Sequence, residues 1–216
     1  MIQTALSGVI TASIIGFSSL TPIQAQFEPQ ILSSRSISLD NRQINKPLND
    51  IYKDNILLNL VYMTGLVSDT AQIDWDSIRR NQFAYEFKLK PGETFAFHDS
   101  VLDQYKDKVV KTTNSHFNAQ EGYKSDGYLY GMGVCHFASV IHWAALDAGL
   151  DSVAPSNHDF AVIREVPKEY GVAIYSEAGK SVSSARQNLY ITNNKDSEVT
   201  FKFEYDSANL KVSVLK

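Results

Sequence analysis

The one cysteine of this 216-residue chain, Cys135, stands inside GMGVCHFASVIHWAALDAGL over residues 131–150, between two glycines and an apolar helix pattern. A thiol in the first turn of a helix faces unpaired N–H groups and the positive end of the helix dipole. Both stabilise a thiolate and raise nucleophilicity at neutral pH. His158 follows after a short loop, on a segment whose apolar spacing predicts a strand. Cys135 would then attack an acyl carbon, His158 would take its proton, and nearby backbone N–H groups or His136 would hold the oxyanion. Asp159 and Asn157 are candidates for orienting the imidazole, but each is adjacent to His158 in sequence and poorly placed. The competing reading is that Cys135 is an inert, packed thiol, since free cysteine often behaves as a small hydrophobe. Gly131 and Gly133 weigh against that reading, because they would let backbone come close to the sulfur.

Around the thiol, Gly131, Gly133, Tyr128 and His98 are the candidate binding residues. Tyr123, Tyr128 and Tyr130 precede Cys135 in a glycine-containing run that could line a groove for sugars or peptides, with Tyr130 assigned to packing. His142 shares a helix face with Cys135 but lies about 10 Å along it. His136 points about 100° away around the helix. A zinc site from Cys135, His158 and His98 has ordinary ligand types, yet no HxxxH or CxxC spacing supports it. No metal ligand and no cofactor is therefore assigned. His116 reads as a solvated loop residue, and Trp143 as core or near-core.

These residues need elements to position them. Phe137, Val140, Ile141, Ala144 and Ala148 form one helical face that closes on Gly149. An N-terminal helix is predicted from Pro47 to Gly65, and a short one from Asp74 to Arg80. Phe83 to Leu89 alternates as a half-buried strand, and the Pro91-Gly92 turn predicts a hairpin-like unit with Thr94 to Phe97. The polar stretch from His98 to Tyr130 reads as a functional loop. Short strands are expected at Phe160 to Val166, Val172 to Ser176, Leu189 to Thr192, Val199 to Tyr205 and Leu210 to Leu215. The fold class is α+β: a Cys-bearing helix packed on a mainly antiparallel sheet, with an N-terminal helix.

A formal charge of -4 and the lack of a Lys/Arg stripe argue against a nucleic-acid partner. The first 25 residues carry no Asp, Glu, Lys or Arg and end in Ile23-Gln24-Ala25, a small-residue pattern before a cut. The expected organisation is a secretory leader over 1–25, an extended lead-in with little regular structure over 26–46, and an α+β domain over 47–216. Export would leave no stable transmembrane span once the leader is removed. It would also place a lone thiol in an oxidising compartment, where it must be buried, paired between chains or used.

From about Leu39 to Tyr205 the chain resembles the VanW family. The resemblance rests on Pro91-Gly92-Glu93-Thr94-Phe95-Ala96-Phe97, on Gly131-Met132-Gly133-Val134-Cys135-His136, on Ala148-Gly149-Leu150 and on His158. It departs from the family at Met132, His136 and His98, and at Tyr170-Gly171-Val172-Ala173, where the family's Asp is missing. The resemblance implies the bacterial cell envelope, an association with glycopeptide (vancomycin) resistance, and peptidoglycan or another envelope component as partner. The order of Cys135 and His158 is also that of papain-like and transglutaminase-like folds, an analogy at the level of fold. Two functions follow: a cysteine-dependent acyl transferase or amidase acting on peptidoglycan peptides, or a non-catalytic envelope-binding or scaffolding module.

Overall fold

In the computed structural model residues 29–177 and 181–216 are described. The leader expected over 1–25 lies outside them. The first element is β1 (Ile31–Ser38), followed by the long helix α1 (Lys46–Thr64) and the short helix α2 (Trp75–Arg80). Next come β2 (Phe83–Leu89), β3 (Thr94–Ala96) and β4 (Val109–Lys111), then the central helix α3 (Val134–Asp147). β5 (Asp151–Val153), α4 (Ser181–Arg186), β6 (Tyr190–Thr192), β7 (Val199–Tyr205) and β8 (Asn209–Leu215) complete the chain.

The strands form two four-stranded sheets, ordered β1-β8-β7-β2 and β4-β3-β6-β5. Every pair is antiparallel except β3 with β4. The architecture is the expected α+β. α3 packs across β1 and β8 of the first sheet and along β5 of the second. Between the sheets lies an aromatic core in which Phe87 stacks on Phe95 and Phe201, both at 5.1 Å, and Phe203 and Phe97 each meet Phe137 of α3 at 5.8 Å.

The helices follow their caps. The Asn45 side chain accepts from Leu48 N–H to start α1, and Gly65 at φ +77° ends it. Asp74 caps α2 in the same way. On α3 the predicted face is buried from Phe137 to Ala148.

Several expectations are corrected. Within the lead-in expected over 26–46, residues 31–38 are regular structure, because β1 pairs with β8 along its length. Its sequence, ILSSRSIS, is an edge strand burying only Ser33 and Ile37, so it lacks the hydrophobic alternation that marks a strand. The Pro91-Gly92 turn forms with Gly92 at φ +81°, yet no hairpin results. β2 joins β7 in one sheet and β3 joins β6 in the other, so this turn carries the chain between sheets. Phe160 to Val166 is loop, with Phe160 76% and Val162 86% exposed and Glu165 at φ +65°. Val172 to Ser176 makes one isolated bridge, Val172 with Asn157, where a strand was expected. Strand β5 takes up part of the short loop expected between the central helix and His158, and α4 was not anticipated.

Candidate functional site

Gly133 brings the start of α3 down onto α1, and Gly131 brings the turn before it onto Phe117. A Cβ on Gly133, which sits at φ +101°, would lie 2.8 Å from the Tyr52 carbonyl oxygen. One on Gly131 would lie 2.7 Å from Cβ of Phe117. These glycines therefore serve helix packing, whereas the sequence reading assigned them to an approach of backbone to the sulfur. Asn55 of α1, fully buried, fixes the preceding loop: its Nδ2 donates to the carbonyls of Lys124 at 3.0 Å and Met132 at 2.9 Å, and its Oδ1 accepts from Lys124 N–H at 2.8 Å.

Cys135 then occupies the first turn of α3, with its sulfur committed to one partner. Sγ donates to the Ile174 carbonyl at 3.6 Å and accepts from Ile174 N–H at 3.4 Å. Burial pushes the thiol up to about 11. A first-turn dipole stabilises charge by about 0.3–1 kcal/mol, below one pKa unit, whereas burial shifts a group by up to about 3–5 units. Desolvation therefore outweighs the dipole, and the expected thiolate is replaced by a neutral thiol.

His158 lies in a loop, not on a strand. Its N–H bonds to the Gly171 carbonyl at 3.2 Å, and a Cβ on Gly171 would come within 2.8 Å of the His158 carbonyl oxygen. The imidazole is oriented by main chain: Nδ1 donates to the Ala161 carbonyl at 3.2 Å. Neither Asp159 nor Asn157 bonds to the ring, and burial lowers its pKa. At the place where the family's Asp is missing, Val172 is buried and its N–H donates to Ser139 Oγ at 2.9 Å. His136, only 4% exposed, packs 5.0 Å from the Tyr52 ring and edge-on to His158 at 6.3 Å. Its Nδ1 has no hydrogen-bond partner. Burial first, then the charges of Arg42 and His158, hold its pKa down at about 3.

Cys135, His136, His158 and Tyr128 line one cleft of about 440 Å³, together with Gly131 and Gly133. Tyr52, Tyr130 and Phe160 contribute its aromatic walls. Tyr130, assigned to packing from sequence, is 49% exposed on that wall. Among the described residues lining the cleft there is no Asp, Glu, Lys or Arg.

His98 lies outside the cleft. It is buried, with Nε2 donating to the Gln187 carbonyl at 3.0 Å, which separates it from the Cys135 and His158 zinc arrangement. Among the described residues no three His, Cys, Asp or Glu side chains converge as metal ligands. His142 pairs with Ser152 Oγ at 2.7 Å, and Tyr123 is buried against Asn59 and Ser115. His116 is more than a solvated residue, since Asp99 at 3.1 Å and Glu121 at 2.8 Å flank its ring beside the cleft.

Residues 82–215 match the family model described as VanW like protein. The chain belongs to the VanW family. The match begins later and ends further along than the resemblance read from Leu39 to Tyr205. It takes in α3, all five histidines and the loop around Ile174, while the Tyr52 wall of this VanW chain comes from α1, before the matched region. No curated protein and no solved structure matches the chain.

Sequence reasoning missed Tyr52, Asn55 and Ile174. Asn55 and Asn59 left a usable signal, two amides at i and i+4 on the otherwise apolar side of α1, both fully buried. Ile174 left none, since its part is played by backbone atoms.

Proposed function

We propose that this chain is a binding domain of the bacterial cell envelope whose cleft holds a ligand without breaking a bond in it. The observation that carries the reading is the Cys135 sulfur, which spends both its donor and its acceptor on Ile174, with no hydrogen bond to His158 or His136. A cysteine nucleophile needs a thiolate and a base within hydrogen-bond reach. With burial pushing the thiol up to about 11, the neutral thiol dominates at pH 7. The cleft volume falls in the range of about 300–1,000 Å³ that small-ligand sites occupy. Family membership, together with the leader-like first 25 residues, supports the envelope setting and the glycopeptide-resistance context.

The presence of Cys135 and His158 in one cleft is the observation that favours the cysteine-dependent acyl transferase or amidase instead. Iodoacetamide labelling of Cys135 across pH separates the two. The binding reading expects slow labelling at pH 7, a rise only as pH approaches 11, and the same profile in His158→Ala. Fast labelling near neutral pH that His158→Ala abolishes would overturn it and restore the catalytic dyad.

A further inference from the structure

The chemistry of the cleft walls narrows what can bind. Among the described residues the side chains lining it are uncharged apart from the histidines, of which His136 and His158 are shifted toward the neutral form by burial and His116, between Asp99 and Glu121, toward the charged form. A ligand carrying a carboxylate, phosphate or ammonium group would lose its hydration there and gain no counter-charge, a cost that neutral ligands avoid. His116, which also lines the cleft, has its two carboxylate partners already in place and offers an incoming anion no free charge.

The main-chain donors of the Ile174–Tyr175 wall, and of the two residues that lead into it, are closed to peptide pairing. From Val172 to Tyr175 each successive N–H is already used: by Ser139 Oγ, by the Ser156 carbonyl, by the Cys135 sulfur and by the Gln187 carbonyl. An extended peptide gains its affinity by adding main-chain hydrogen bonds to an open edge, and these donors are not open. Recognition along this wall falls to side chains. Tyr128 is 97% exposed, Phe160 76% and Tyr130 49%, so three aromatic rings are presented at one opening.

The buried atom without a partner completes the picture. His136 Nδ1 is shielded from solvent and unbonded, in a ring that lines the cleft. A buried polar atom left so costs about 1–3 kcal/mol, and such atoms in folded proteins call for a reason. With nothing bonded to Nδ1, no protein group on that side fixes the tautomer of the neutral imidazole. A hydroxyl both donates and accepts, so it matches either tautomer.

We infer that the cleft recognises a neutral saccharide unit, whose C–H face lies on the Tyr128 and Tyr130 rings while a hydroxyl reaches His136. This rests on the binding-domain reading and names its ligand class. Aromatic side chains suit such a ligand because their apolar face and polar edge meet the two kinds of surface a pyranose ring offers.

The test is calorimetric titration of the full chain with chitohexaose and cellohexaose, both uncharged. It is repeated with the cationic chitosan hexamer, the anionic hexagalacturonate and an end-capped neutral hexapeptide. At least one neutral sugar should bind, and both charged sugars should bind at least about 5-fold more weakly. Tyr128→Ala, at an exposed position where the fold has little to lose, should weaken neutral-sugar binding about 5-fold. His136→Phe keeps a buried ring and should weaken it by a similar factor. An unchanged near-ultraviolet dichroism spectrum would show each variant folded. The inference falls if no neutral sugar binds, if the charged sugars bind equally well, or if both variants bind as the wild type does. Binding of the peptide alone, weakened by Tyr128→Ala, would also overturn it while leaving the binding domain standing. Failure of that domain reading shows elsewhere, as a reactive, His158-dependent thiol.

Discussion

Helix α3 borders two buried neighbourhoods built on different terms. On one side Phe137 meets Phe203 and Phe97, and no residue of that aromatic cluster asks for a hydrogen bond. On the other side, at the first turn, His136, His158 and Cys135 are buried or half-buried polar groups. They are held by main-chain carbonyls, by one main-chain N–H, and in the case of His136 Nδ1 by nothing. The aromatic side is stabilised by area removed from water, a contribution spread over many contacts. The cleft side depends on a few close approaches and on keeping its imidazoles neutral. Stability is therefore expected to be broad and insensitive to pH on the first side, and local and acid-sensitive on the second.

The largest effect should come from the aromatic side. Phe203→Ala empties a fully buried site and should cost about 3–5 kcal/mol in urea unfolding, lowering stability by the same amount at every pH. A cost that depended strongly on pH would break the contrast. Gly133→Ala comes next. Its methyl would meet the α1 backbone at a left-handed φ, for an expected loss of about 3 kcal/mol, and Cys135 labelling should change because the helix start must move. A loss below about 0.5 kcal/mol would mean that the junction of α1 and α3 is not tight.

The acid response is the finer test. Burial holds His136 at about 3 and His142 at about 4, against an ordinary value of 6.5. Below pH 6.5 the unfolded chain binds protons that these buried rings do not, so their stabilising share is complete above 6.5 and drains as pH falls toward 4 and 3. His136→Phe should flatten the stability curve in that window, whereas Phe203→Ala should shift it without changing its slope. Equal slopes in wild type and His136→Phe would show that this ring is not buried as a neutral group.

What could be read from the sequence divides along the same line. Helices α1, α2 and α3 were legible because periodicity and end signals are local: Pro47 and Gly65 mark the ends of α1, and Gly149 follows α3. β7 and β8 were legible because Val199, Phe201, Phe203 and Tyr205, then Leu210, Val212 and Val214, alternate and are buried. β1 was not, since an edge strand of serines has no apolar rhythm. Phe160 and Val162 had that rhythm and misled, because they face outward beside the cleft instead of into a core. The turn at Pro91-Gly92 was local and readable, but the partners of β2 and β3 are set by strands far along the chain. The position of Cys135 was likewise readable, and its chemistry was not, since the burial that raises its pKa and the Ile174 main chain that meets its sulfur come from segments the helix pattern cannot see.

The edge strand that escaped the sequence has a consequence for how this protein is made. Ser34 of β1 and Ser213 of β8 share a hydrogen bond although they stand 179 positions apart, and Gln30 and Lys216 exchange main-chain bonds beside them. Until β8 leaves the ribosome, β1 has nothing to pair with, and the face it gives to α3 stays bare. Such a sheet closes late and slowly, since its decisive contact spans nearly the whole chain. A nascent chain keeps this edge of its sheet unpaired until β8 emerges.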